Sequence, residues 1–457
     1  MAGQALNYTF AHNWAPRLGV VYDPWGDRKT KVFFNYAQYN YQMPLDAAIR
    51  SLSSELDLTA LRFAPVIGPN NSVTVIPDAA HLLNALPNGS GGAAIISAQA
   101  GGNLEGVAPG TQMQNEWEYV GGIERQFANG IVVSARYVDR RLHRIVEDMS
   151  GVSPEAADFG APFNQIFLIG NPSPKTDLFT NVPVAAVQPQ GAPCASGIVS
   201  AIDGNGFPFA SGQQACFPGF KGVNGLTGGV PVPDGISDGF AQPVRTYQAF
   251  EFEVNKGFSS GWLMRANYRL AYLRGNYEGA FRNDNGQTDP SISSLFDFTT
   301  GVLNLLGDQF AIGPLNTERH QIVNLFGSYT FQAGRFSGLT LGTGISTFSG
   351  TPISIFANHP VYGNQGEVPI GGRGSQGRTP LSGGIDLHAE YVHKLTERTS
   401  VHLLADMFNI TNSMGPVTLR DQNRDLSFQP PFSNPDQLTP LNFQNPFYAR
   451  FGLKFQF

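Results

Sequence analysis

The sequence lacks long apolar runs, strong charge and recognisable catalytic motifs. No segment approaches the 18 consecutive apolar residues that mark a transmembrane helix. Charged residues make up only 14% of the 457 residues, against roughly 25% in ordinary soluble domains. The net charge of −6 provides no basic surface for nucleic acid. HExxH, GxSxG and P-loop motifs do not occur, so no enzyme activity and no cofactor are predicted.

Cysteine is also scarce, since Cys194 and Cys216 are the two cysteines of the chain. They lie in a stretch rich in Gly, Pro and Ala, and a CxxC metal pair is absent. Two cysteines in one connection indicate a disulfide formed in an oxidising compartment, and two free thiols are the alternative.

Glycine and aromatic residues are plentiful, with 53 Gly, 34 Phe and 15 Tyr. They occur in segments of period two, of which the range from Phe447 to Phe457 is the clearest. Its odd positions are apolar, whereas its even positions are polar, small or amphipathic. About ten residues, tilted about 45°, cross the roughly 25 Å apolar band of an outer-membrane barrel. The pattern therefore predicts a transmembrane β-strand.

About eleven such strands follow one another, mostly in pairs joined by short turns. Long connections separate the pairs at about 42–112, 147–243, 278–317, 350–382 and 411–444. We therefore predict an all-β fold, an antiparallel transmembrane β-barrel with periplasmic turns and extracellular loops. One apolar exterior belt is expected to contain Val254, Trp262, Tyr268, Leu325, Leu387, Leu403, Phe451 and Leu453.

The strand number has a consequence for topology. Barrels of the outer membrane have an even number of strands, with both ends in the periplasm. An odd count, together with a start that has no basic and no apolar leader segment, predicts a partial barrel whose N-terminal part is missing. A miscounted strand is the alternative.

Charged residues on the opposite faces of these strands are predicted to face the barrel lumen. Turn geometry places Glu118 near Arg140, Glu251 near Arg269, and Glu253 near Arg265 or Asn267. Asp386, His388 and Asp406 could converge across the last hairpin, and solvated polar groups are the simpler interpretation of them. The candidate lumen residues are Glu118, Arg140, Glu251, Glu253, Arg265, Arg269, Asp386, His388 and Asp406.

Several local patterns carry a family resemblance. The opening range Trp14–Pro24 reads WAPRLGVVYDP, the range Phe348–Pro352 reads FSGTP, and the range Phe408–Asn412 reads FNITN. Phe457 supplies a terminal aromatic residue. In this order and spacing the patterns resemble the C-terminal β-barrel portion of a TonB-dependent receptor of the Oar-like branch, over nearly the whole chain.

The resemblance implies one barrel domain, of 22 strands when complete, with a plug domain that this sequence lacks. The implied function is uptake of an unknown small solute or peptide ligand across the outer membrane. The implied partners are TonB, the plug, outer-membrane lipid and a barrel-assembly machinery that reads Phe457 as an assembly signal. The alternatives are a passive porin-like channel, an outer-membrane enzyme, and a soluble or adhesive β protein.

Overall fold

A computed structural model describes the strands and the parts of the connections that adjoin them. The main described ranges are 10–42 without residue 12, 106–149, 168–178, 237–280, 311–357, 368–419 and 438–457. Shorter described pieces lie at 56–61, 66–67, 73–74, 94–100, 188–193, 199–200, 210–216, 226–227, 230–231, 235, 296 and 299–300. Among the described residues, no helix is both long enough and apolar enough to span a membrane.

Eleven strands form one antiparallel sheet in which every strand pairs with its neighbours along the chain. They are β1 Arg17–Tyr22, β2 Thr30–Asn40, β3 Asn115–Gln126, β4 Ile131–Arg144, β5 Arg245–Ser259, β6 Trp262–Gly275, β7 Gln321–Thr330, β8 Leu339–Phe348, β9 Ser382–Lys394, β10 Ser400–Phe408 and β11 Tyr448–Gln456. A further short strand, Gly313–Pro314, pairs with the end of β6. The predicted fold class, with about eleven meandering strands, is confirmed.

Tight turns join the strands at one end of the sheet. Asn129 and Gly130 adopt positive φ between β3 and β4, and Ser260 and Gly261 do so between β5 and β6. Asn and Gly tolerate this left-handed backbone, which lets two strands reverse within a few residues. The connections at the opposite end of the sheet are long, so the two ends differ in kind.

The register separates an apolar face from a polar face. All eight residues expected on the exterior belt share one face, because in-register partners in a β-sheet project to the same side. We call this the outward face. The polar face has an exception, since the exposed Phe326 lies on it and its ring lies over Gly344.

The described part of the sheet is open at both sides. Within the described residues, β1 pairs only with β2 and β11 pairs only with β10. Every residue of both strands is exposed. Unpaired backbone N–H and C=O groups therefore line both edges, where another strand could pair with them.

The connections hold the best-buried apolar side chains, which the sequence did not indicate. One cluster combines Ala108, Ile145, Met149, Leu168, Phe240, Tyr277 and Phe296. Beside it, Glu147–Met149 pairs with Leu168–Gly170, and that strand pairs in parallel with Gly106–Val107. We call this cluster and its strands the loop cap.

Other short strands pair locally along the connections. They are Leu56–Leu61 with Ala94–Ala100, Val66–Ile67 with Val73–Thr74, Gln213–Cys216 with both Gln188–Pro189 and Val199–Ser200, Leu226–Thr227 with Val230–Pro231, Ile355–Ala357 with Val368–Ile370, and Pro416–Leu419 with Pro440–Phe443. Cys194 lies outside the described residues, so the disulfide with Cys216 stays a prediction.

Candidate functional site

Charged side chains concentrate on the polar face of β3 to β6, and we call this set the charged ladder. At the end of the charged ladder nearest the long connections, Glu118 and Arg140 lie opposite each other and form an ion pair. Tyr39 donates its hydroxyl proton to Glu118 Oε1 over 3.2 Å. Glu116 lies 4.0 Å from Arg140 and 3.9 Å from Arg245, and it accepts a hydrogen bond from the Tyr41 hydroxyl.

The part of the charged ladder nearer the tight turns contains two further ion pairs. Arg136 Nε lies 2.5 Å from Glu251 Oε2, and Arg265 Nε lies 3.2 Å from Glu253 Oε1. Glu251 is in register with Arg269, as the turn geometry predicts, but its carboxylate contacts Arg136 on the other neighbouring strand. That contact depends on the β4–β5 register, which a long connection leaves unspecified in the sequence.

Two open cavities adjoin the charged ladder. The larger encloses about 660 Å³ between Tyr41, Glu116, Arg140 and Arg245. The smaller encloses about 390 Å³ beside Arg136, Glu253, Arg265, Asn267 and Asn324. Both cavities are lined by acids and arginines together. They therefore present hydrogen-bond donors and acceptors to any group that lies against the polar face.

The last three strands carry a second polar group, which we call the histidine cluster. His388 Nδ1 lies 2.6 Å from Asp406 Oδ1, and Arg450 Nη2 donates to Asp406 Oδ2 over 2.7 Å. Asp386 instead accepts a hydrogen bond from the Asn409 backbone N–H, so it does not join the other two. Asp406 is thus held by a histidine and an arginine at once.

The sequence did not identify one buried carboxylate, Glu318, just before β7. Its side chain is 1% exposed. It contacts Arg378, lies 2.9 Å from His320 Nε2, and accepts a hydrogen bond from the Leu273 backbone N–H. Arg378 comes from a connection about 60 residues away, so only the fold brings these groups together. Burial of an acid this deep requires such partners.

The chemistry of these groups is electrostatic. Among the described residues, no group of three or more His, Cys, Asp or Glu side chains is arranged to hold a metal ion. The carboxylates accept contacts from arginines, histidines and backbone N–H groups, and charge-assisted hydrogen bonds of this kind are stronger than neutral ones. The polar face therefore carries carboxylates whose charges lie against neighbouring cations and N–H donors.

Comparison with known proteins gives one curated relative and several structural likenesses. No protein-family model matches the chain. The chain is similar to the TonB-dependent transporter Oar of Myxococcus xanthus, with 26% identity over 494 aligned positions. The match covers 99% of this chain, and the chain spans 39% of the length of that relative. This confirms the resemblance inferred from the sequence.

Solved structures with a similar arrangement include outer-membrane receptors and transporters. The ferripyoverdine receptor of Pseudomonas aeruginosa matches 97% of this chain and 32% of its own, at 11% identity and a TM-score of 0.41. The outer membrane transporter YddB of Escherichia coli matches 96% of this chain and 39% of its own, at 10% identity and a TM-score of 0.43.

Proposed function

We propose that this chain forms a wall of an outer-membrane TonB-dependent transporter, which takes up a solute across the outer membrane. The observation that carries the proposal is the similarity to a TonB-dependent transporter along 99% of the chain. The sheet supports it independently, because it has one apolar and one polar face, as a transmembrane barrel wall requires.

In this proposal the polar face lines the lumen. The charged ladder and the histidine cluster then face a plug domain or a passing solute, which is a small molecule or a peptide. The nine candidate residues named from the sequence all lie on that face by register. TonB supplies the energy, lipid covers the outward face, and the assembly machinery recognises Phe457.

Uptake of the unnamed solute can be tested by following the growth medium. Three strains of the source organism are compared: wild type, a deletion of this gene, and a strain that lacks TonB. Mass spectrometry of the spent medium records which compounds each strain removes. We expect at least one compound to be removed by the wild type and left behind by both other strains.

The other outcomes would select the alternatives. A compound that only the deletion strain leaves behind would indicate a passive channel that works without TonB. No difference between the wild type and the deletion strain would contradict a transport function. Accumulation of an unprocessed compound outside the deletion strain, with its product outside the wild type, would indicate an enzyme. The curated relative is named as a transporter, which disfavours that last alternative.

A further inference from the structure

The outward face changes character near the long-connection end of β4, β5 and β6. Arg141, Thr246 and Arg274 lie side by side there, since Thr246 is in register with both arginines. We call these three residues the outward arginine row. Two strand spacings separate the two arginines, about 10 Å between Cα atoms. Both arginine residues are exposed.

Asp139, two residues earlier on the same strand, holds the Arg141 side chain in place. Its Nε and Nη2 donate to the two oxygens of Asp139 over 2.7 and 3.0 Å. The Asp139 residue is only 6% exposed, and its carboxylate also accepts hydrogen bonds from Gln248 Nε2 and the Tyr137 hydroxyl. The Arg141 side chain remains 60% exposed. A guanidinium has five N–H donors, so Arg141 keeps unused donors directed away from Asp139.

Arg274 is placed by an aromatic ring. Its guanidinium carbon lies 5.7 Å from the centre of the Tyr272 ring, within the range of a cation–π interaction. Tyr272 is in register with Gln248, one row below the outward arginine row. Below that row, Phe250 and Leu270 begin the apolar belt. The arginines therefore lie directly above the hydrocarbon level, where the headgroups of lipids are found.

We propose that the outward arginine row binds the phosphate of a lipid headgroup in the outer leaflet. Two guanidinium groups pair with phosphate through charge-assisted and often bidentate hydrogen bonds. Asp139 fixes one of them before the lipid arrives, which reduces the entropy lost on binding. The assignment to the outer leaflet rests on the proposed function, which places the long connections outside the cell.

The test uses the full chain purified in a neutral detergent. Native mass spectrometry measures the binding of diphosphoryl lipid A, of fully dephosphorylated lipid A, and of diphosphoryl lipid A in the presence of millimolar inorganic phosphate. We expect the wild type to bind the diphosphoryl form. The double variant Arg141→Gln with Arg274→Gln should bind it at least about tenfold more weakly.

The matched control is Arg125→Gln, because Arg125 also projects from the outward face but lies at the short-turn end of β3. It should bind like the wild type. An equal loss in this control, or no loss in the double variant, would overturn the proposal. Equal binding of the dephosphorylated lipid would also overturn it. Displacement of the lipid by inorganic phosphate would show a site for the free anion instead.

The variant Asp139→Asn separates a built site from diffuse attraction. It makes this surface more positive, so simple charge attraction would strengthen binding. If Asp139 acts by positioning Arg141, binding of diphosphoryl lipid A should weaken several-fold; tighter binding would reject the positioning role. Membrane fractionation tests the proposed function separately. Absence of the protein from the outer membrane would refute that function, whereas the lipid titration depends only on the arginine row.

Discussion

The loop cap buries its large apolar side chains, whereas the outward face of the sheet exposes them. In the loop cap Ile145, Met149 and Phe296 are each 0% exposed. On the outward face of the sheet Phe252 and Phe451 are 48% and 78% exposed. A water-soluble β protein would place its large apolar side chains between its layers and leave its connections polar.

The difference indicates that the sheet and the loop cap are suited to different surroundings, hydrocarbon for the sheet and water for the loop cap. Apolar side chains exposed along a whole sheet face are stable only where hydrocarbon covers them. The loop cap instead has its own core, which is the arrangement expected of a segment surrounded by water, where removal of apolar area from the solvent is stabilising. Burial also raises the pKa of the Tyr277 hydroxyl well above its usual value, as expected in such an interior.

The largest effect is expected at Phe457, the residue that directly follows strand β11 of the sheet. Replacing Phe457 with Ala should nearly abolish the protein in the outer membrane, as measured by immunoblotting of membrane fractions. Refolding of the same variant into lipid vesicles should be nearly normal, because even a charge costs little near the interface. The severe defect would come from lost recognition by the assembly machinery. Equal losses in both assays would instead assign the residue to stability.

A large effect is also expected in the loop cap. The variant Phe240→Ala leaves a cavity among buried neighbours and should cost about 3–5 kcal/mol of local stability. Hydrogen exchange of the strand Glu147–Met149 would report this as faster opening, with the strands of the sheet unchanged. The control is Phe252→Ala, whose side chain faces outward. Similar exchange in the two variants would contradict a separate core in the loop cap.

Adjacent residues of β7 allow a direct test of the two faces. Leu325 lies on the outward face and Phe326 on the polar face. Leu325→Arg should destabilise refolding into vesicles by about 2–4 kcal/mol, because the charge enters hydrocarbon. Phe326→Arg should change the free energy of unfolding by no more than about 1 kcal/mol, since its charge stays in water. The reverse order, measured by urea titration, would invert the assignment of the faces.

The smallest effect is expected within the charged ladder. A double-mutant cycle of Glu253→Gln and Arg265→Gln should give a coupling of about 0.2–1 kcal/mol in vesicles, as for cross-strand pairs. The pair Glu253 and Asn267 is in register but carries one charge. Its cycle, made with Asn267→Ala, should be close to additive. A coupling of several kcal/mol for Glu253 and Arg265 would require a much drier environment than an open lumen.

The sequence predicted the strands well because period two is a local property. A residue's face follows from its parity once its strand is located, which explains the placement of Leu387, Leu403 and Leu453. The ion pairs of Glu118 with Arg140 and of Glu253 with Arg265 were predictable for the same reason. Each joins two strands connected by a tight turn, which fixes the register.

Contacts across long connections could not be predicted in this way. The carboxylate of Glu251 contacts Arg136, and Glu318 contacts Arg378, although each pair is separated by at least 60 residues. No periodicity within either segment specifies how the two segments meet. Phe326 shows another limit, because parity places it on the polar face while its ring packs against Gly344.

The sequence by itself determined the strand number, the antiparallel meander and the apolar and polar faces, because alternation and turn residues act over a few positions. Only the tertiary structure decided the core of the loop cap and the register between strands that long connections separate. It also decided the alignment of Arg141 with Arg274 on the outward face. These features depend on contacts between residues far apart in the chain, and the energy of such contacts exists only once the chain has folded.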